Sequence, residues 1–388
     1  MNKAIVLLVA LLSFSGAAWA QAPQLISDIN LATLDSNPQE LTHLGGVCYF
    51  RAHTNTAGWE LFKQTGATVT LIDVNPGAAD SNPSNLTVMG GALYFRATTP
   101  ATGTELFKYD GFALTAIDVD SSTSSSNPEK LTNVGSFLCF RATVTATGQE
   151  LYKYDGTTLS LFDIATGTAS SSPDAMSAIG GVLYFNAWTV GHGREVHTFD
   201  GTTVTRYDVN TATSPSSPSS LINVGGVLYF NAYTPATGSE LFKYDGSSLT
   251  AIDVNAGEGS SHPYYFTAVG SRLYFIANTP STGVDVFQYD GTTLTALDIN
   301  PGAASSSPNI LRDVAGVLYL SATTPATGFE LYRHDGTTLS VVDVWSGASG
   351  SEPNEMTAVG STVFFRAMTP ATGWELFRFD GSTLSVID

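Results

Sequence analysis

The sequence predicts an all-β fold, an eight-bladed β-propeller of four-stranded antiparallel blades closed into a ring. Three observations predict it. First, a unit of 45 residues is written eight times without insertion or deletion. Steps of 45 from Pro38 meet proline at Pro83, Pro128, Pro173, Pro218, Pro263, Pro308 and Pro353, and steps from Ala52 meet alanine through to Ala367. Second, each unit holds four short runs rich in aromatic and β-preferring residues, separated by glycine-, proline- and aspartate-containing turns. Third, no segment carries a 3.6-residue apolar period. A fixed period of this length marks modules that bury their apolar surface against one another.

The elements follow in chain order. Lys3, the apolar run Ala4 to Leu12 and the small-x-small triplet Ala18-Trp19-Ala20 read as a secretory signal peptide cleaved after Ala20. Residues 1–20 are therefore expected to leave, and residues 21–388 to form a single propeller domain. The apolar run is too short to span a bilayer, and no later stretch is long and apolar enough to do so. No cysteine follows the cut to carry a lipid anchor. The expected location is secreted or periplasmic, with no membrane insertion and a monomeric chain.

Residues 25–30 match the fourth strand of the unit and precede unit 1, so the fourth strand occurs nine times. The N-terminal copy is expected to pair in the last blade and latch the ring shut. Unit 2 shows the rest. Asn85 to Met89 reads as a first strand, closed by Gly90-Gly91, and Ala92 to Thr98 as a second. Thr99-Pro100-Ala101-Thr102-Gly103 turns the chain into the third strand, Glu105 to Tyr109. Asp110-Gly111 makes a hairpin, since both residues tolerate positive φ, and Leu114 to Val119 is the fourth strand. Asp120 to Pro128 crosses to the next unit. Units 1 and 8 are nearly as regular as the others, where an open array would need atypical polar ends.

The charge is a product of the repeat. Of 34 acidic residues, 24 lie in three ladders, Asp28 to Asp388, Glu60 to Glu375 with Asp285, and Asp110 to Asp380, so the net charge of −18 needs no separate function. It does argue against nucleic acid as a partner. Cys48 and Cys139 occupy adjacent phases of one strand in units 1 and 3, which places them on opposite faces. Two free buried thiols are expected.

Glu105-Leu106-Phe107-Lys108-Tyr109-Asp110-Gly111 and Glu240-Leu241-Phe242-Lys243-Tyr244-Asp245-Gly246 resemble the bacterial repeat family known by its motif E-L-W-x-x-D-G-T. Gly225-Gly226-Val227-Leu228-Tyr229-Phe230 and Asp298-Ile299-Asn300-Pro301-Gly302 are similar to that family's flanking pieces. Phenylalanine or tyrosine replaces the motif tryptophan in every unit but the fourth, which has His197. The layout is also similar to kelch repeats, without their glycine pair. The resemblance implies an exported, propeller-like protein. It carries over no catalytic residue, because the motif is architectural.

Function is sought where the units disagree. The loop between strands two and three and the crossover share one side of a blade, and loops there are the expected binding surface. Arginine stands at Arg366, Arg51, Arg96 and Arg141, in blades 8, 1, 2 and 3 of a ring, and is Asn186, Asn231, Ile276 or Ser321 elsewhere. A tight hairpin would place Arg96 opposite Glu105 as a cross-strand ion pair. Trp59, Phe329 and Trp374 precede the ladder carboxylate in blades 1, 7 and 8, and aromatics beside arginines suit a sugar face or an aromatic side chain. Rim packing is the plainer reading of these rings.

Blade 4 carries Trp188, His192, Arg194 and His197 in an altered loop. The spacing fits no zinc motif, and a satisfied core histidine is expected at His197. Asp73 to Asp80 offers too few repeated oxygens for calcium, so no metal or other cofactor is expected. Glu40, Glu129, Glu258 and Glu355 show no obvious partner for acid–base work. The expected function is a binding or interaction scaffold for extracellular glycan or protein. The alternatives are a carbohydrate-active hydrolase or lyase using the top-face funnel, and a purely structural adhesin or surface component.

Overall fold

A computed structural model describes Ile29 and residues 35–120, 124–210, 214–257 and 259–387. The signal-peptide reading lies outside these residues, as does the N-terminal strand copy apart from Ile29. The described residues form eight four-stranded antiparallel sheets, each built from consecutive strands, an arrangement consistent with an eight-bladed β-propeller. The chain divides into two compact units, Met1–Asp174 with blades 1 to 3 and Ala175–Asp388 with blades 4 to 8.

Blade 1 comprises the strands Gln39–Leu44, Val47–Thr54, Gly58–Thr65 and Thr68–Ile72. The first two meet at Gly45-Gly46, whose φ angles of 58° and 82° suit a two-residue hairpin that matches strand twist. The first strand carries a bulge between the pairs Gln39/Arg51 and Thr42/Tyr49, and Glu40 sits there at φ 58°. The same bulge puts Asn85, Lys130, Ser220, Tyr265, Ile310 and Glu355 at positive φ. For the β-branched Ile310 this is strain, held by the packing around it.

The Asp-Gly hairpin differs from its sequence reading. Gly111 alone takes positive φ, at 101°, while Asp110 accepts hydrogen bonds from the Phe112 and Ala113 amides at 2.9 and 2.7 Å. The aspartate acts through its side chain, as an Asx turn.

Alternation within the strands gives each blade two apolar faces. Tyr49, Leu61, Ile72 and Val74 of blade 1 pack on Leu93, Phe95, Ala97, Phe107 and Tyr109 of blade 2. Equivalent clusters join blades 2 and 3 in the first unit, and blades 4 and 5, 5 and 6, 6 and 7, and 7 and 8 in the second. Within a blade, aromatics stack across the central strand pair, as Phe95 does on Phe107 with centroids 6.0 Å apart. Ala97 is fully buried between the sheets, which accounts for the unchanging alanine. Cys139 is buried and Cys48 half-buried, both free; burial pushes the Cys139 thiol up to about 12. Among the described residues no helix is long and apolar enough to cross a membrane.

Candidate functional site

The register decides what the variable residues can touch. The second and third strands close over Thr99↔Gly103, so Arg96 lies opposite Leu106 and Glu105 opposite Ala97. The expected arginine–glutamate pair is therefore absent. Three residues, Pro100 to Thr102, lie between the strands, and the resulting register is one residue off the one that would pair Arg96 with Glu105. In a strand such a shift exchanges the two faces.

The ladder carboxylates are buried between the sheets instead. Glu60 accepts hydrogen bonds from the Val74 amide at 2.8 Å, the Ser81 amide at 3.0 Å and the Ser81 hydroxyl at 2.7 Å. Glu105, Glu150, Glu195 and Glu240 repeat all three contacts. Glu330 accepts from Val344, Trp345 and the Ser351 hydroxyl. Burial raises these carboxyls above their ordinary range, Glu60 to about 7, while the hydrogen bonds pull the other way. Each glutamate ties its third strand to the crossover leaving the blade. The Trp59 amide donates to Asp80 Oδ1 at 2.8 Å in the same place, so loop and crossover do share one side of the blade.

The arginines find other partners. Arg96 donates to Glu129 Oε1 at 3.1 Å and to Asn127 at 3.0 Å, and Arg141 donates to Glu129 Oε2 at 3.1 and 2.6 Å. Arg141 also reaches the Pro173 carbonyl, with Asp174 at 3.8 Å, and Lys130 pairs with Asp174 at 2.9 Å. Glu129, which showed no partner in the sequence, is held below the usual carboxylate range by Arg141 and then Arg96. It lies 12 residues from one arginine and 33 from the other, and sequence order alone does not bring those together.

Two arginines meet tryptophan. Arg366 lies 4.2 Å over the Trp374 ring, and Trp374 is 42% exposed. Arg51 lies 5.1 Å from the Trp59 ring, hydrogen-bonds Gln39, and shares Trp59 with His53 at 5.6 Å. Both tryptophans sit diagonally across the strand pair from their arginine, within reach of long side chains. Phe329, at the same position of blade 7, is half-buried opposite Thr323, with Ser321 in place of arginine. The structure thus builds an arginine–aromatic pair in blades 1 and 8 and a lone ring in blade 7.

In blade 4, Arg194 lies opposite exposed Trp188 and donates to Asn186 at 2.6 Å. His192 is held apart from them, beside Asp208 at 3.6 Å and Arg206 at 3.4 Å. His197 is buried and stacked on Phe185, centroids 5.4 Å apart, with Nδ1–H donating to the Glu195 carbonyl at 3.0 Å. Its Nε2 has no partner, so the histidine is half-satisfied where a satisfied one was expected, and burial pushes its pKa down to about 4. Among the described residues no group of three or more His, Cys, Asp or Glu is placed to hold a metal. Among the exposed aromatics that sequence reasoning passed over are Tyr233 and the pair Tyr264 and Tyr265, with centroids 5.2 Å apart. Their signal was present, since tyrosine replaces the usual small or polar residue at all three positions.

No known family matches the chain, and no curated protein is significantly similar to it. Among solved structures, the chain is similar to the β-propeller domain of the Trilobed protease from Pyrococcus furiosus, with 12% identity over 79% of this chain and 95% of that one, at a TM-score of 0.40. It is similar to a puromycin-hydrolyzing peptidase of Mycobacterium tuberculosis, with 14% identity, 79% of this chain, 53% of that chain and a TM-score of 0.41. It is also similar to the BP39L lectin from Burkholderia pseudomallei, with 7% identity, 79% and 98% coverage and a TM-score of 0.36. The first of these is described as a β-propeller, and what the present chain itself contains, among the described residues, is eight four-stranded sheets built from consecutive strands.

Proposed function

We propose that this chain is an exported scaffold, an eight-bladed propeller closed into a ring, that binds extracellular glycan or protein through its arginine–tryptophan pairs. The observation that carries the reading is Arg366 seated 4.2 Å over a Trp374 ring that is itself 42% exposed. A half-exposed indole held by a guanidinium is a rigid apolar plate beside a fixed donor fork. A sugar needs both, one for its C–H face and the other for its hydroxyls. Arg51 and Trp59 repeat the pair in blade 1, and ring closure would make blades 7, 8 and 1 neighbours. The repeated carboxylates are occupied with crossover amides and hydroxyls, which suits structure better than acid–base chemistry.

The test is the double variant Trp59→Ala/Trp374→Ala on a glycan array and a secreted-protein panel. The expected result is loss of the strongest signals by tenfold or more with the fold retained by circular dichroism. Binding equal to the parent protein's would remove the tryptophans from the site.

A further inference from the structure

The seams between neighbouring blades of a unit are built alike, and on the loop side they differ in charge. Between blades 2 and 3, Glu129 accepts from Arg96 of the preceding blade at 3.1 Å and from Arg141 of its own blade at 2.6 Å. The equivalent residues between blades 5 and 6 are Tyr264, Asn231 and Ile276. Lys130, on the bulge after Glu129, becomes Tyr265. Four charged residues of one seam are thus replaced in the other by an amide, an aliphatic chain and two phenol rings. A third ring, Tyr233, stands where blades 2 and 3 have Thr98 and Thr143. All of this surface lies within the unit Ala175–Asp388.

The three rings are open to solvent, Tyr233 at 43%, Tyr264 at 40% and Tyr265 at 56% exposure. Among the described residues none of their hydroxyls makes a hydrogen bond. Tyr264 and Tyr265 lean on each other, with planes inclined at 49°. The bulge holds Tyr265 at φ 53°, strained for so large a side chain, and presents its ring to solvent. Tyr264 pairs across the strands with Ile276, and the first strands of blades 5 and 6 lie side by side. Asn231 therefore sits between two rings: Tyr264 over the seam, and Tyr233 two residues along on its own face, about 7 Å away. A polar chain runs through the same place. Buried Ser239 donates to Asn231 Oδ1 at 2.8 Å, and Asn231 Nδ2 donates to Ser219 Oγ at 3.3 Å. Ser219 is exposed, and with its oxygen accepting, its own proton is free for a ligand oxygen.

We propose that this surface of blades 5 and 6 is a binding site for neutral glycans, with Tyr264 and Tyr265 stacking on one pyranose, Tyr233 on a second, and Asn231 and Ser219 holding hydroxyls between them. Rings alone would suit any apolar partner. Here they alternate with uncharged hydrogen-bonding groups, which matches the C–H faces and hydroxyl rim of a sugar chain. The absence of charge at the seam positions selects against acidic sugars. A carboxylate or sulfate would be desolvated there without a cation to offset the cost, and the net charge of −18 repels it. The site shares no residue with the arginine–tryptophan pairs and stands or falls without them.

The test gives each ring the residue that another blade carries at its position: Tyr233→Thr, Tyr264→Ser and Tyr265→Ser, after Thr98, Ser219 and Ser220. The full chain and this triple variant are compared on an array of neutral oligosaccharides of glucose, mannose, galactose and N-acetylglucosamine, with uronate- and sialate-bearing glycans alongside. The expected result is neutral-glycan binding that added salt leaves unchanged and that the triple variant weakens tenfold or more, with the thermal midpoint retained. Ser219→Ala is the second variant; it removes an exposed hydroxyl that no packing depends on, and a threefold or greater loss of the same binding is expected. A parent protein that binds no neutral glycan, a triple variant that binds as the parent does, or a preference for acidic glycans would each overturn the proposal. Loss of signal confined to a secreted-protein panel would assign the surface to a protein partner and overturn it too. Neutral-glycan binding that survives Trp59→Ala/Trp374→Ala but not the tyrosine changes supports this site and removes the tryptophans. The reverse pattern keeps the arginine–tryptophan reading and overturns this one.

Discussion

The Ser81 hydroxyl donates a 2.7 Å hydrogen bond to Oε2 of Glu60, 21 residues earlier in the chain, and both residues are fully buried. An isolated buried carboxylate is costly, and three donors offset that cost here. The arrangement makes the carboxylate specific: only a crossover presenting two amides and a hydroxyl at this spacing satisfies it. Apolar clusters supply the bulk of the contact between blades, while the glutamate selects which segment may lie there.

Blade 6 is a natural deletion of one methylene from that grip. Asp285 turns Oδ1 to the Val286 amide at 2.7 Å and keeps the Ile299 amide at 3.2 Å, but the buried Ser306 hydroxyl, though it faces the carboxylate, is left without a hydrogen-bond partner. Asp285→Glu is expected to restore the hydroxyl contact and raise stability by about 1 kcal/mol. Urea denaturation measures it; a variant less stable than the parent would mean that the blade 6 seam has closed around the shorter side chain.

The same carboxylates make stability depend on pH. Burial holds Glu60 up to about 7, against an ordinary 4.5, and shifts Glu105, Glu150, Glu195, Glu240, Asp285 and Glu330 in the same direction. A raised pKa means that the folded state binds the proton more tightly than the unfolded chain. The contribution is therefore full below pH 4.5 and is lost as pH rises through 7. The urea midpoint is expected to fall between pH 5 and pH 8, less steeply in Glu60→Gln. A midpoint that climbs over this interval would show the hydrogen bonds outweighing burial.

His197 works in the opposite sense. Its folded pKa, near 4, lies below the ordinary 6.5, so its contribution is full above pH 6.5 and is lost as pH falls toward 4. His197→Phe places in blade 4 the ring that Phe242 supplies in blade 5, and removes the unpartnered Nε2. The expected gain is about 1–2 kcal/mol at pH 7 and more at pH 5. Thermal melts at the two pH values check it, and equal gains at both would show that the histidine does not stay neutral in the fold.

Much of the architecture was legible in the residues because repetition averages local ambiguity away. Eight copies of a glycine-bearing first hairpin, Gly-Gly in four of them, and of the aromatic second strand place the strands within a residue or two, and adjacent units must then pack alike. The errors came where geometry turns on one residue. Reading residues 99–103 as a tight hairpin end put Arg96 opposite Glu105, one residue out of register, when Arg96 in fact faces Leu106 and reaches forward to Glu129. The Asp110 turn was placed correctly and explained wrongly, since its side chain caps the turn while its φ stays ordinary.

By itself the sequence determined the repeat, the strand order within each unit and the positions at which units differ, because these depend on neighbours a few residues apart. Tertiary structure decided what those positions touch. Glu60 needs Ser81 from the crossover, Glu129 needs two arginines from successive blades, and Arg366 needs the ring of Trp374 across a strand pair. In a sheet, one residue of register sends a side chain to the opposite face, so partners across strands are set by the register of the folded chain and not by composition or period.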